Sequence, residues 1–116
     1  MKQVLQDRTK AFALAIIDLT DDFPNKNANS IVATQLIRSA TSVGANYRAA
    51  CRSSSDREFI AKMNSVLEKA DESFYWLEII DEKKWVTIES IAPLLVEADE
   101  LTAIFVKSLK TINSRL

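Results

Sequence analysis

The sequence predicts an all-α protein, an antiparallel up-down-up-down four-helix bundle formed by residues 1–116 as a single domain. Glycine occurs once and proline twice, too few for the turns and strand corners of a β-protein. Apolar residues recur at helical spacing in four segments, and no segment alternates with period two. Four helices, each with one apolar stripe, bury those stripes economically as a bundle.

The first helix is expected over about residues 3–21. Its buried face is predicted from apolar residues three and four positions apart, namely Phe12, Ile16, Leu19 and Phe23. The segment Phe23-Pro24-Asn25 ends this helix, because the residue before a proline is pushed out of the α region.

The second helix is expected to follow an N-cap at Asn29 or Ser30. Its core positions are Leu36, Ala40, Val43, Tyr47 and Cys51, the last as a small buried hydrophobic residue. Gly44 lies inside this helix, where glycine costs about 1 kcal/mol relative to alanine. We therefore expect a neighbouring backbone to approach closely at Gly44.

A capping box, Ser55-Asp56-Arg57-Glu58, opens the third helix, which is expected over residues 56–81. Its predicted seam is Phe59, Met63, Leu67, Ala70, Phe74 and Leu77. The segment 81–84 is predicted to be a turn. The fourth helix presents Leu94 or Leu95, Ala98, Leu101, Phe105, Leu109 and Ile112. Its start remains open, because Pro93 fits the first turn of a helix capped by Ser90 but would kink one beginning at Thr87.

The composition argues against an enzyme, a cofactor or a metal centre. Histidine is absent and cysteine occurs once, so neither a Ser-His-Asp or Cys-His nucleophile nor a zinc or di-iron site can be built. No glycine-rich phosphate loop occurs either. A lone cysteine, a polar N-terminus and no apolar run of roughly 20 residues favour a cytoplasmic protein that does not enter the membrane.

Charge is distributed unevenly along the chain. The net charge is −1, but residues 26–69 carry +4 and residues 70–116 carry −4. The basic segment supplies the candidates for nucleic-acid contact, which are Arg38, Arg48, Arg52, Arg57, Lys62 and Lys69. A solvated helix surface also explains these cations, so both interpretations stay open.

A second candidate surface is a flank of small or uncharged residues on the second helix. Small residues allow another helix to approach closely, either in a neighbouring subunit or within one bundle. The candidates for an interface between subunits are Ser39, Ser42, Asn46 and Ala49, together with Tyr75 and Ile79 on the third helix.

Residues 35–80 resemble the bacterial four-helix bundle family of 23S rRNA-intervening-sequence proteins. The shared motifs are QL-x-RSATSV-x-ANY, then FI-x-K-M, then EKADES-x-x-WLE, flanked by Phe23-Pro24 and by LLVEADEL at 94–101. That family is similar to the accessory variability proteins of diversity-generating retroelements, ring-shaped homopentamers that bind a reverse transcriptase and nucleic acid. The resemblance implies a non-enzymatic homopentamer whose partners are RNA or DNA, or a reverse transcriptase or other protein. A protein-binding oligomeric scaffold without nucleic-acid contact is the alternative.

Overall fold

Four α-helices run along a body of 47 × 20 × 20 Å in the computed structural model, which describes residues 1–24 and 26–116. They are α1 (Lys2–Asp21), α2 (Asn27–Cys51), α3 (Asp56–Lys83) and α4 (Ile88–Asn113). Of the described residues 86% are helical and none lies in a strand. Each helix packs against the next and α1 also packs against α4, so the predicted four-helix bundle is confirmed.

The first two helices differ from the prediction mainly at the start of α2. The prediction for α1 is accurate to one residue at its start, while Asn25, predicted as part of the segment that ends it, lies outside the described residues. The predicted N-cap of α2 at Asn29 or Ser30 is wrong, because the helix already begins at Asn27. The side chain of Asn29 is only 6% exposed and packs inside the bundle instead of capping the helix.

The start of α3 confirms the predicted capping box, except that the carboxylate of Glu58 binds Ser54 instead of the N-cap residue Ser55. Ser55 Oγ accepts a hydrogen bond from the Glu58 backbone N–H at 3.1 Å. The Glu58 carboxylate reaches back to Ser54 and accepts bonds from its N–H and its hydroxyl, at 3.2 and 2.9 Å. The predicted turn at 81–84 is too long, because α3 continues to Lys83 and ends in a left-handed residue, Lys84 (φ 56°).

The start of α4 is now defined. Thr87 is its N-cap and Ile88 its first residue, so Pro93 lies inside the helix, beyond the first turn. At this position the proline removes one hydrogen bond of the helix, the one that a backbone N–H of residue 93 would donate to the carbonyl oxygen of Glu89. Of the two alternative core positions, Leu94 is buried and Leu95 half-buried.

Most of the predicted core positions are buried, but in α3 the buried face is rotated about the helix axis relative to the predicted seam. In α3 the positions Phe59, Leu67 and Phe74 are half-buried, and Val66, Ser73 and Ile80 are buried in their place. The rotation turns α3 towards α2, the helix with which it packs most extensively. Cys51, predicted to be buried, is half-buried at the end of α2. No helix in the described part of the chain is both long and apolar enough to cross a membrane.

Candidate nucleic-acid interface

The outer face of α2 presents three arginines on a helix that contains no acidic residue. At about 100° per residue, the buried stripe of α2 leaves Arg38 and Arg48 pointing away from the core, and Arg52 follows at the helix end. All three are exposed. Within the described residues, none of these guanidinium groups lies within 4.0 Å of a carboxylate oxygen. Their charges are therefore free to meet an anionic partner.

The three candidates on α3 are of two kinds. Lys62 Nζ lies 2.9 Å from a carboxylate oxygen of Glu58, and Lys69 Nζ lies 3.3 Å from one of Glu72. Both lysines are half-buried and have a carboxylate partner within their own helix. Arg57 is exposed and has no such partner among the described side chains. Of the three, only Arg57 continues the arginine surface of α2.

The environment of Glu58 shows how strongly one of these lysines is engaged. The hydrogen bond from the Lys62 ammonium, helped by those from Ser54, lowers the pKa of Glu58 from 4.5 to about 2. A carboxylate accepting several hydrogen bonds is favoured in its ionised form. Glu58 thus stays charged at neutral pH, and its negative charge offsets that of Lys62.

A shallow groove between α1 and α2 adds a cation that the sequence analysis missed, Lys10. The groove has a volume of about 230 Å³ and is lined by Lys10 and Arg48 over small residues that include Gly44. A Cβ atom on Gly44 would lie 3.3 Å from Thr9 Oγ1 and 3.5 Å from the Thr9 carbonyl carbon. The predicted close approach at the single glycine is therefore confirmed, and α1 is the helix that approaches.

The small-residue flank of α2 faces α3. Ser39 is 2% exposed, and its hydroxyl accepts a hydrogen bond from Ser73 Oγ at 3.0 Å. Ser39 thus contributes to packing within one chain. Ser42 and Asn46 are half-buried and Ala49 is exposed, so these three line the outer edge of the α2–α3 contact.

Of the two candidates on α3, Tyr75 lies on the outer side, and the expectation that Ile79 also points away from the core is not met. Tyr75 is 55% exposed, with its ring edge-on to that of Trp76 at a centroid distance of 5.1 Å. Ile79 is half-buried and packs against the core. The exposed aromatic ring of Tyr75 is the feature of this group most typical of a protein-binding surface.

Clefts at opposite ends of the bundle differ in charge. A cleft of about 600 Å³ lies between the end of α1 and the start of α4, and its two charged lining residues are Asp18 and Asp22. At the other end, a cleft of about 310 Å³ is lined by the three consecutive serines 53–55 and by Lys2, Arg115 and Asp56, which together carry one net positive charge. Arg115 Nη2 lies 3.8 Å from Asp56 Oδ1, which joins the end of α4 to the start of α3.

Comparison with known proteins places the chain in a family. The family model described as 23S rRNA-intervening sequence protein matches residues 2–107. A crystal structure of a protein of unknown function from the S23 ribosomal protein family of Bacteroides thetaiotaomicron VPI-5482 is 32% identical. It superposes with a TM-score of 0.85 over 95% of this chain and 99% of that chain. No curated protein matches the chain significantly. With four helices and a family match over residues 2–107, the chain belongs to the 23S rRNA-intervening sequence protein family.

Proposed function

We propose that the protein is a non-enzymatic subunit of a cytoplasmic homo-oligomer that binds the sugar-phosphate backbone of RNA through the outer face of α2. The observation that carries the proposal is the set of three exposed arginines, Arg38, Arg48 and Arg52, without carboxylate partners in the described structure, on an acid-free helix. A guanidinium group suits phosphate because its planar fork donates two parallel hydrogen bonds.

Oligomerisation would strengthen an interaction that is weak for one chain. Three phosphate contacts give modest affinity, but sites joined in one assembly gain avidity when a single strand reaches several of them. Resemblance to the ring-shaped accessory variability proteins supports a pentamer. The association of the family with 23S rRNA supports RNA as the ligand.

The test is a titration of a labelled RNA of mixed sequence at about 50 and 200 mM salt. Each phosphate contact releases counterions, so three contacts should make binding of a single-stranded RNA roughly 20-fold weaker at the higher salt. The variant Arg48→Glu/Arg52→Glu should lose binding, whereas Lys26→Glu/Lys83→Glu, with the same change in charge away from this face, should retain it. No binding by the wild type at low salt, or equal binding by the two variants, would contradict the proposal.

A protein-binding scaffold is the second candidate function, and one observation favours it. Tyr75 is 55% exposed on α3 and lies against Trp76, and large exposed aromatic side chains are enriched where proteins bind one another. In this alternative the α2 arginines are solvated. It gains support if RNA does not bind while Tyr75→Ala abolishes association with a purified partner.

A further inference from the structure

The net charge of −1 conceals a strong separation of charge along the bundle. The antiparallel order brings together the start of α1, the end of α2, the start of α3 and the end of α4. We call residues 1–11, 42–69 and 101–116 the basic end; they contain 11 Lys and Arg against four Asp and Glu, a net charge of +7. The remaining residues form the acidic end, with four Lys and Arg against 12 Asp and Glu, a net charge of −8.

Most cations of the basic end have no carboxylate partner within the described residues. Arg8 is held by Glu97, Lys62 by Glu58, Lys69 by Glu72 and Arg115 by Asp56. The other seven are exposed and lie on all four helices or at their ends: Lys2, Lys10, Arg48, Arg52, Arg57, Lys107 and Lys110. The basic end is therefore a surface contributed by the whole bundle, of which the α2 arginines are one part.

The charges of α1 are not explained by the stability of that helix. A helix is stabilised by acidic groups at its N-terminus and basic groups at its C-terminus. The first residue of α1 is Lys2, its last is Asp21 and its C-cap is Asp22, so these charges oppose the dipole. A distribution that costs stability locally, yet adds to the charge separation of the whole molecule, points to a role outside the bundle.

We infer that the nucleic-acid backbone docks end-on, across the basic end, and that Lys107 and Lys110 of α4 are contact residues together with Arg48 and Arg52. This inference rests on the proposed function and moves its site to one end of the bundle: Arg48 and Arg52 remain contact residues, and Arg38 does not. An end about 20 Å across spans a length of B-form duplex that carries about 12 phosphates on its two strands, and one side of the duplex presents part of these to the protein. Repulsion at the acidic end turns the basic end towards the polyanion during approach.

Arg38 distinguishes end-on docking from binding along the whole α2 face. It is exposed and without a carboxylate partner, like Arg48, but it lies in the acidic half of the bundle. End-on docking predicts that Arg38→Glu has little effect and Arg52→Glu a large one. Binding along α2 predicts comparable losses from the two.

The experiment compares four proteins for binding to an RNA duplex of about 20 base pairs at several salt concentrations. They are the wild type, Lys107→Glu/Lys110→Glu, Arg48→Glu/Arg52→Glu and the control Lys26→Glu/Lys83→Glu, with helicity checked by circular dichroism. We expect roughly tenfold or greater weakening by both variants of the basic end, and less than about threefold by the control. Loss of two contacts should also reduce the slope of log K against log salt by about 1.8.

The possible outcomes test end-on docking separately from the proposed function on which it rests. If Lys107→Glu/Lys110→Glu binds like the wild type while Arg48→Glu/Arg52→Glu does not bind, the end-on inference is wrong and the α2 site stands. Absence of binding by the wild type at 50 mM salt would overturn both.

A single-stranded RNA of the same length is the second probe. If the α4 variant binds both probes more weakly than the wild type does, the ligand is the nucleic-acid backbone. If it binds only the duplex more weakly, the ligand is the double helix.

Discussion

Gly44 lies at a close contact between α1 and α2, and its neighbour Thr9 is completely buried. The Thr9 hydroxyl donates to the carbonyl oxygens of Leu5 and Gln6, at 2.8 and 3.1 Å, which holds the side chain in place. Composition and helical pattern were enough to predict a close approach at the glycine. They could not identify Thr9, because the residue opposite Gly44 depends on how the two helices align.

We predict that Gly44→Ala stabilises the bundle more in a Thr9→Ala background than in the wild type. Alanine in a helix gains about 1 kcal/mol over glycine. In the wild type, the new methyl group would lie 3.3 Å from Thr9 Oγ1 and lose part of that gain. Urea unfolding of the four proteins in this cycle gives the coupling energy. Equal gains in both backgrounds would show that the hydroxyl does not restrict this contact.

At the scale of the helix, α1 and α3 show opposite relations between charge and helix dipole. In α1 the C-terminal turn is acidic, and the structure has no basic group in that turn. In α3 the first turn contains Asp56 and Glu58, and the last contains Lys83, which is the favourable arrangement. The sequence alone gives the order of these charges. Whether they stabilise or destabilise a helix can be judged only when the residues at which that helix begins and ends are known.

Neutralising one acid in each helix should therefore change stability in opposite directions. Asp21→Asn, at the end of α1, is expected to raise the free energy of unfolding by about 0.3–1 kcal/mol. Asp56→Asn, at the start of α3, removes the same charge and should lower it by a similar amount, since the contact with Arg115 at 3.8 Å is exposed and weak. Thermal and urea unfolding at low salt measure both, and a shift of the same sign in the two variants would contradict the dipole argument.

Sequence patterns predicted the number and order of the helices better than their orientation about their own axes. The core face of α3 is rotated from the predicted seam, because α3 packs most extensively against α2 and buries Ser73 against Ser39. A buried serine carries no signal in a pattern of apolar residues. The open question at the start of α4 also needed the fold, since Pro93 fits a helix capped by Ser90 better in sequence terms, yet α4 begins at Ile88 and contains Pro93.

For the whole molecule, the sequence predicted the arginine surface of α2 but not the basic end. Arg38, Arg48 and Arg52 share one helix, so helical projection was enough to group them. Lys2, Lys10, Lys107 and Lys110 lie far away in sequence and join the arginines only through antiparallel packing. One signal was present, since positive charges lie early in α1 and late in α4.

We predict that the purified protein is an oligomer, a pentamer by resemblance, held together at the outer edge of the α2–α3 contact. Light scattering coupled to size exclusion should give a mass several times the 13.0 kDa of one chain. Ser42→Arg places a long charged side chain at this edge and should release monomers that keep their helicity. Thr34→Arg, on an exposed part of the same helix away from this edge, is the control. A 13 kDa species for the wild type at micromolar concentration would exclude a stable ring.

The separation of charge along the bundle also decides how the two sides of a ring would differ. Cyclic symmetry repeats every subunit in the same direction along its axis. With the bundles parallel to that axis, all basic ends share one side of the ring and all acidic ends share the other. The two sides of such a ring differ: one attracts a nucleic acid and the other repels it, so RNA binds on one side of the ring and not on both. The acidic side stays open to a positively charged protein, and the two ligands would bind together without competing.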